Sequence, residues 1–484
     1  MADATTARDV EQIAIGADRA ADVWASTSAT ERGRVLRAVA DALDDAAGEL
    51  IPIAMAETNL AEGRLAGELR RTTFQLRIFA ETLEEGGYLD VRIDHADDGW
   101  PMGAPRPDLR RSLISVGPVV VFAASNFPFA FSVAGGDTAS ALAAGSSVIL
   151  KAHSGHPGLS QRTAEIVGDA LAGAGAPAGV FAVIFGTEAG RLALQHPLVK
   201  AGAFTGSIAG GRALFDLAQS RPEPIPFYGE LGSVNPVFVT RAAASARGES
   251  IAEEFVGSFT LGAGQFCTKP GILFVPRASD LASRLAGSTL PPAAKLLNAR
   301  IQSGFLDALA DVRSHAAVRV LCAGDDATDG PPAPTLLATD IAALLDDPQA
   351  LLAEVFGPAA LVVEYDDEAQ LLDVARVLEG QLTATIVGED EDQIAPELIR
   401  LLAKKAGRVL WNQWPTGVSV TYAQQHGGPY PATTASASTS VGTAAITRFL
   451  RPVAFQGLPQ HLLAAELRDE NELGIRRRVN GALG

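Results

Sequence analysis

A chain of 484 residues is too long for a single hydrophobic core and is expected to divide into two or three domains. Its 47% hydrophobic and 20% charged residues exclude a disordered or fibrous protein. A net charge of -17 repels phosphate backbones, so a nucleic-acid partner is not expected and a small diffusible ligand is.

The start of the chain, Met1 to Ala4, has neither the basic segment nor the apolar run of a leader. Two cysteines, Cys267 and Cys322, cannot build a disulfide framework, which points to a reducing, cytoplasmic setting. From Val10 to about Glu85 the Ala, Leu, Glu and Arg content recurs at helical spacing, and Ser28-Ala29-Thr30-Glu31 resembles a cap. Within this prelude Arg70, Phe74 and Arg77 share a face, either a solvated basic stripe or an anion contact at a tunnel mouth.

Between Tyr88 and Asp108 the periodicity stops and Asp, Gly and Pro dominate, marking an excursion from the first domain. Arg111 to Phe122 then reads as two short strands split by Gly117-Pro118. The apolar region Leu113 to Gly136 is broken by Pro118, Asn126 and Pro128, so no membrane span is expected. Strands at Val119 to Ala123, Ser147 to Lys151, Val180 to Phe185 and Ala201 to Phe204 alternate with helices near Asp137 to Ala144, Leu159 to Ala172, Glu188 to His196 and Gly211 to Gln219. Such alternation predicts a doubly wound α/β sheet with its ligand at the carboxyl ends of the strands. No Gly-x-Gly-x-x-Gly follows any of these strands, so a dinucleotide would be held without the usual fingerprint.

A second alternating region follows. Strands are expected at Val234 to Val239, Gly271 to Val275, Ala359 to Tyr365, Thr383 to Val387 and Arg408 to Trp411. Helices are expected at Ala252 to Thr260, Ala278 to Leu285 and Leu306 to Ser314, and Asp325 to Pro334 reads as a surface loop. After Arg448 a strand-like run, Phe449 to Phe455, precedes a polar helix and the tail from Gly474. The seven histidines are scattered, and the closest pair, His153 and His156, matches no ligand spacing; no metal site is expected.

Cys267 lies in the small-residue loop Leu261-Gly262-Ala263-Gly264-Gln265-Phe266-Cys267-Thr268. A free cysteine is either a small buried hydrophobe or a nucleophile, and the loop alone leaves both open. Its company decides. Asn126-Phe127-Pro128, Lys151, Phe204-Thr205-Gly206-Ser207, Glu230-Leu231-Gly232, Gly264-Gln265-Phe266-Cys267 and Glu354-Val355-Phe356-Gly357-Pro358, in this order, resemble the aldehyde dehydrogenase superfamily over nearly the whole chain.

The resemblance implies two doubly wound α/β domains, one binding cofactor and one catalytic, with a small β oligomerisation element. Residues 1–87 and 117–233 would form the cofactor-binding domain, 234–445 the catalytic domain, and 88–116 with 446–484 the bridging elements. It further implies Cys267 as nucleophile, Glu230 as general base and Asn126, with the Cys267 backbone N–H, as oxyanion donors. Read without it, Asn126 is a turn residue before Pro128 and Glu230 a helix or loop carboxylate. Lys151, Thr205, Gly206, Ser207, Leu231, Glu354 and Phe356 would line the cofactor.

Relatives that prefer NAD commonly carry Glu three residues after the lysine, where this chain has Ser154. A hydroxyl can donate to a 2'-phosphate that a carboxylate would repel, so NADP is expected, with NAD as a second acceptor and Arg191 as another phosphate contact. Ser233 after Gly232, and Ile208-Ala209 after Ser207, depart from the family pattern without removing a reacting group. Trp414-Pro415-Thr416-Gly417-Val418, His426-Gly427-Gly428-Pro429-Tyr430-Pro431 and Arg448-Phe449-Leu450-Arg451-Pro452 are similar to the 2-oxoglutarate semialdehyde (2,5-dioxopentanoate) dehydrogenase branch. That branch implies a carboxylate-bearing aldehyde, with Arg71 at the outer end of the tunnel and Phe127 on its wall. Oxidation of a fatty or other apolar aldehyde is the nearest alternative. A non-catalytic cofactor-binding protein and a coenzyme-A-acylating enzyme are disfavoured because Cys267 and Glu230 are both retained. A homodimer or homotetramer is expected.

Overall fold

The computed structural model describes residues 4–324 and 330–484. The helical prelude consists of α1 (Ala7–Ser26), α2 (Ala29–Asp45), α3 (Ala47–Thr58) and α4 (Glu62–Glu85). Ser28 caps α2 as its sequence suggests, accepting from the Glu31 N–H at 3.2 Å. β1 (Arg92–Asp94) and β2 (Leu109–Ser115) form the excursion.

Next come β3 (Val119–Phe122), α5 (Gly136–Ala144), β4 (Val148–Lys151), α6 (Pro157–Gly173), β5 (Phe181–Ile184), α7 (Thr187–Gln195), β6 (Ala201–Thr205), α8 (Ile208–Gln219) and β7 (Phe227–Glu230). The five strands lie parallel in the order β5-β4-β3-β6-β7. The chain leaves β3 first in one direction and later returns to its other side. This creates the switch point of a doubly wound sheet, a crevice at the carboxyl ends of β3 and β6. α5 is buried along its whole length, which explains its run of small residues, and the Trp24 indole on α1 donates to Leu142 O at 2.9 Å.

The second half contains β8 (Val237–Val239), α9 (Arg241–Thr260), β9 (Ile272–Pro276), α10 (Leu281–Ala286), α11 (Ala299–Ser314), β10 (Arg319–Ala323), β11 (Thr335–Asp340), α12 (Ile341–Asp346), α13 (Pro348–Leu351), β12 (Ala359–Tyr365), α14 (Ala369–Val377), β13 (Gln381–Val387), α15 (Ala395–Leu402) and β14 (Ala406–Trp411). Its sheet runs β10-β11-β12-β9-β8-β13-β14, parallel except for the edge strand β10. β15 (Leu450–Gln456), β16 (Arg478–Val479) and β17 (Ala482–Leu483) join the excursion in a third sheet, β15-β2-β1-β16-β17. The architecture is two doubly wound sheets with a small β element.

Several expectations need correction. Glu230 lies at the end of a strand, β7, which the sequence reading omitted along with β1, β10 and β11. The polar helix expected after β15 is absent from the described residues; two single helical turns, Gln460–Leu462 and Ala465–Leu467, stand there instead. In the loop read at Asp325 to Pro334, positions 325–329 lie outside the described residues, as do 1–3 at the start. Arg70 and Phe74 face solvent and Arg77 pairs with Asp41 and Asp44 at 2.6 and 2.7 Å, so this face of α4 makes no tunnel mouth.

Candidate active site

Parallel pairing ends β3, β4, β6 and β7 on one edge, and the predicted residues follow from those ends. Asn126 lies beyond β3, Lys151 ends β4 with Ser154 exposed three residues on, Thr205 ends β6 and Glu230 ends β7. Gly206 and Ser207 are exposed at the start of α8, where the Ser207 hydroxyl accepts from Gly210 N–H at 3.3 Å; Leu231 is buried against Gly211 of the same helix.

This edge fits an anionic dinucleotide. The half-buried Lys151 ammonium has no acidic partner among the described residues, and burial, with a smaller effect from Arg300, pulls it below its ordinary pKa. Arg191, expected as a phosphate contact, is exposed on α7 and faces Glu188 at 3.9 Å. Arg300, from α11, is the arginine whose charge reaches Lys151.

The loop before Cys267 is built from left-handed backbone. Gly262, Ala263 and Gly264 have φ of 58°, 55° and 67°, and a Cβ on Gly264 would stand 2.1 Å from Gly357 O. That contact packs the Cys267 loop against the segment carrying Glu354 and Phe356, both half-buried. The loop is also held from below, since the Asn235 amide donates to Cys267 O at 2.8 Å and to Lys269 O at 2.9 Å.

Lys269, which follows Thr268 in the same loop and was given no role by the sequence reading, is buried and donates to Val355 O at 2.6 Å and Ala359 O at 2.7 Å, bracketing the Glu354 segment. Burial raises the pKa of Glu354, and the nearby Lys269 ammonium partly offsets this. Its carboxylate lies over Gly232, where a Cβ would meet Oε2 at 2.4 Å, so a side chain there would displace the Glu354 carboxylate.

Around the thiol, three groups converge. Glu230 Oε1 lies 2.8 Å from His426 Nε2, and the same nitrogen lies 3.6 Å from Cys267 Sγ. The donor atoms of these residues all fall within 4.8 Å of one another. The Ser440 hydroxyl donates to Glu230 Oε2. Burial, the largest influence on Glu230, raises its pKa, but His426, Ser440 and Arg448 together bring it below the ordinary carboxylate value. Burial pushes the Cys267 thiol well above its usual range; Glu230 and Glu354 add to this and Arg71 opposes it. On the other side of the loop the Asn126 amide donates to Gln265 O at 3.2 Å and retains a second proton for a ligand.

The thiol opens into a cavity of about 260 Å³ lined by Arg64, Glu68, Arg71, Phe127, Phe131 and Phe266, among others. Phe127 meets Phe131 and Phe266 edge to face. The Arg71 guanidinium lies 5.4 Å from the centre of the Phe131 ring, and that of Arg64 lies 4.5 Å from that of Phe266. Arg71 gives only Nε to protein, at 3.3 Å from Val418 O, and both its terminal nitrogens are buried without partners. Arg64 gives one terminal nitrogen to Asn126 O at 2.6 Å and leaves Nε and Nη1 without partners. Buried guanidinium donors without partners are costly, and an anion satisfies them.

The sequence reading missed Arg64 and the placement of His426. Arg64 could have been found seven residues before Arg71, a spacing that returns to the same helical face. His426 stood in a quoted motif, but nothing local marks its partner, 159 positions away in the chain.

Comparison with known proteins identifies the family. The aldehyde dehydrogenase family model matches residues 1–449. The chain is 44% identical to an alpha-ketoglutaric semialdehyde dehydrogenase of Acinetobacter baylyi, over 99% of this chain and 92% of the relative. It is also 44% identical to alpha-ketoglutaric semialdehyde dehydrogenase 2 of Azospirillum brasilense, over 98% and 91%. Among solved structures, PnpE in complex with nicotinamide adenine dinucleotide superposes with a TM-score of 0.78 at 22% identity, covering 93% of this chain and 89% of that one, a likeness of fold. With family model and full-length relatives in agreement, the chain belongs to the aldehyde dehydrogenase family.

Proposed function

We propose that this enzyme oxidises 2-oxoglutarate semialdehyde to 2-oxoglutarate, with NADP as its preferred acceptor. The observation that carries the substrate is the pair Arg71 and Arg64, buried in the cavity that reaches Cys267 with guanidinium nitrogens unpartnered. They suit a substrate with an aldehyde at one end and a carboxylate at the other. The names of the two 44% identical relatives support the same compound. The three phenyl rings of the wall favour a second reading, an apolar aldehyde.

In the proposed mechanism Cys267 Sγ adds to the aldehyde carbon and forms a thiohemiacetal. The Asn126 amide and the Cys267 N–H hold the developing oxyanion. Phe127 and Phe131 exclude water while Arg71 and Arg64 anchor the far carboxylate. A nicotinamide cofactor, when bound, supplies the acceptor for the hydride lost by that carbon. Glu230 then takes a proton from water as the water attacks the thioester, the C–S bond breaks, and acid and thiolate are released.

Lys151 and Ser154 are assigned to the adenosine ribose and its phosphate, with Arg300 replacing Arg191 as the second cation. Thr205, Gly206, Ser207 and Leu231 are assigned to the pyrophosphate and nicotinamide side, Glu354 to the nicotinamide ribose and Phe356 to the ring. On this reading residues 1–87 and 117–233 are the cofactor-binding domain and 234–445 the catalytic domain. The third sheet, residues 88–116 and 446–484, joins two or four copies.

An aldehyde panel of 2,5-dioxopentanoate, succinate semialdehyde and decanal, assayed with NAD and NADP, tests the proposal. The highest kcat/KM is expected for 2,5-dioxopentanoate with NADP. Preference for decanal would transfer the assignment to the apolar reading, and preference for NAD would overturn the role given to Ser154.

A further inference from the structure

We propose that Glu68 on α4 is the positioning residue for Asn126, an inference that rests on reading Asn126 as an oxyanion donor to a carbon held by Cys267. The Glu68 oxygen Oε1 accepts from two successive backbone N–H groups just beyond Asn126, that of Phe129 at 2.8 Å and that of Ala130 at 3.0 Å. The side chain is 5% exposed, and it reaches across 61 positions of chain to make the first of these bonds.

After Asn126 the chain makes one helical turn, closed by Phe131 N–H donating to Phe127 O at 3.2 Å. Such a turn leaves its first N–H groups without partners of its own. Pro128 has no N–H, and among the described residues neither Phe129 nor Ala130 donates to a backbone carbonyl. Both residues are buried, so their acceptor must come from another element, and Glu68 is that acceptor. The far end of the turn is tied separately, with Ala124 N–H donating to Phe131 O at 2.8 Å and Gly136 N–H to Ala130 O at 2.9 Å. Asn126 is gripped at its own carbonyl by Arg64, one helical turn before Glu68 on α4, at 2.6 Å. Two turns of α4 thus set the backbone from which the Asn126 amide projects.

Oε2 of Glu68 has no partner, and the residue lines the cavity together with Arg64 and Arg71. Burial raises the pKa of this carboxyl, while the two N–H groups and the two arginines oppose the rise. Ionised or protonated, it keeps an acceptor oxygen facing Phe129 and Ala130, so the grip does not depend on charge. What depends on the grip is reach. The Asn126 amide gives one proton to Gln265 O at 3.2 Å, and its second must meet the oxygen of the tetrahedral carbon. A displacement of the turn by about 1 Å would slow the reaction about a hundredfold without weakening aldehyde binding.

The test uses the full-length enzyme in a Cys322→Ser background and follows cofactor reduction in the first turnover at saturating 2,5-dioxopentanoate. Glu68→Met, or Glu68→Ala if the methionine variant does not fold, removes the acceptor and is expected to slow this step about tenfold to a hundredfold. Glu68→Gln keeps an acceptor oxygen and should stay within about threefold of the parent. Alkylation of Cys267 by iodoacetamide forms no oxyanion and should match the parent in every variant. In an Asn126→Ala background Glu68→Met should cost nothing further, because the two residues then act through one amide. Four results would each overturn the proposal: Glu68→Gln as slow as Glu68→Met, the same Glu68→Met loss in both backgrounds, a loss confined to KM, or a matching loss in alkylation. The first would give the role to charge, the second would sever Glu68 from Asn126, the third would place Glu68 with the arginines, and the fourth would reduce it to general packing. Failure of the parent reading is separable: Asn126→Ala alone would then leave the first turnover unchanged.

Discussion

Arg71 and Arg64 show how much a single side chain contributes to the choice of substrate. Each is stacked against a phenyl ring, and burial lowers the pKa of both guanidinium groups, a strain that a bound carboxylate relieves. Replacing Arg71 with Ala removes charge-assisted hydrogen bonds each worth about 1.5–3 kcal/mol, so KM for 2,5-dioxopentanoate is expected to rise about tenfold to a hundredfold. KM for decanal should change little. Steady-state assays of the two substrates side by side check this, and equal losses on both would remove the carboxylate role.

Glu354 gives a prediction in pH. Burial raises its pKa and Lys269 opposes the rise, so its ionised fraction grows as pH increases through neutrality. Because only the ionised carboxylate accepts two ribose hydroxyls without competition, KM for the cofactor should fall between about pH 6 and pH 8. Lys269→Met removes the cation that holds Glu354 down and should move that fall to higher pH, read from the cofactor KM profile.

At the scale of elements, the approach of two loops carries the site. Gly264 brings the thiol loop onto Gly357, and its φ of 67° together with the 2.1 Å contact leaves no room for a methyl group. Gly264→Ala is expected to cost about 1–3 kcal/mol from backbone strain alone and to separate the Cys267 loop from the Glu354 segment. A lower Tm by calorimetry together with a raised cofactor KM would show it; an unchanged Tm would mean the loops do not depend on this contact. Helix α8 offers a milder case. Removing its cap with Ser207→Ala should cost about 1 kcal/mol, measured by denaturant unfolding. The elements most readily read from sequence are the buried parallel strands such as β3, four apolar residues in a row. β7, Phe-Tyr-Gly-Glu, was not legible because glycine and a terminal acid break the apolar run, although pairing with β6 supplies the missing order. β11, rich in Leu and Ala, gives no strand signal of its own and is fixed by neighbours on both sides.

At the scale of the whole molecule, the two larger sheets, their loops and α4 place residues from both halves of the chain around one sulfur. β15 is an edge strand of the third sheet with several half-buried or exposed side chains, and sedimentation should report a dimer or tetramer of the 50.2 kDa chain. A monomer would remove the oligomerisation role given to that sheet. The sequence by itself determined the doubly wound architecture, because hydrophobic alternation and turn residues act over short spans. It also pointed to Cys267, Glu230, Asn126, Lys151 and Glu354, each in a short motif through which the chain resembles its family. Tertiary structure alone decided that Arg64 and Arg71 end in the same cavity and that Arg300, not Arg191, stands by Lys151. It alone brought His426 between thiol and carboxylate across 159 positions of chain. The physical reason is that electrostatic contact depends on distance in space, while sequence patterns record only distance along the chain.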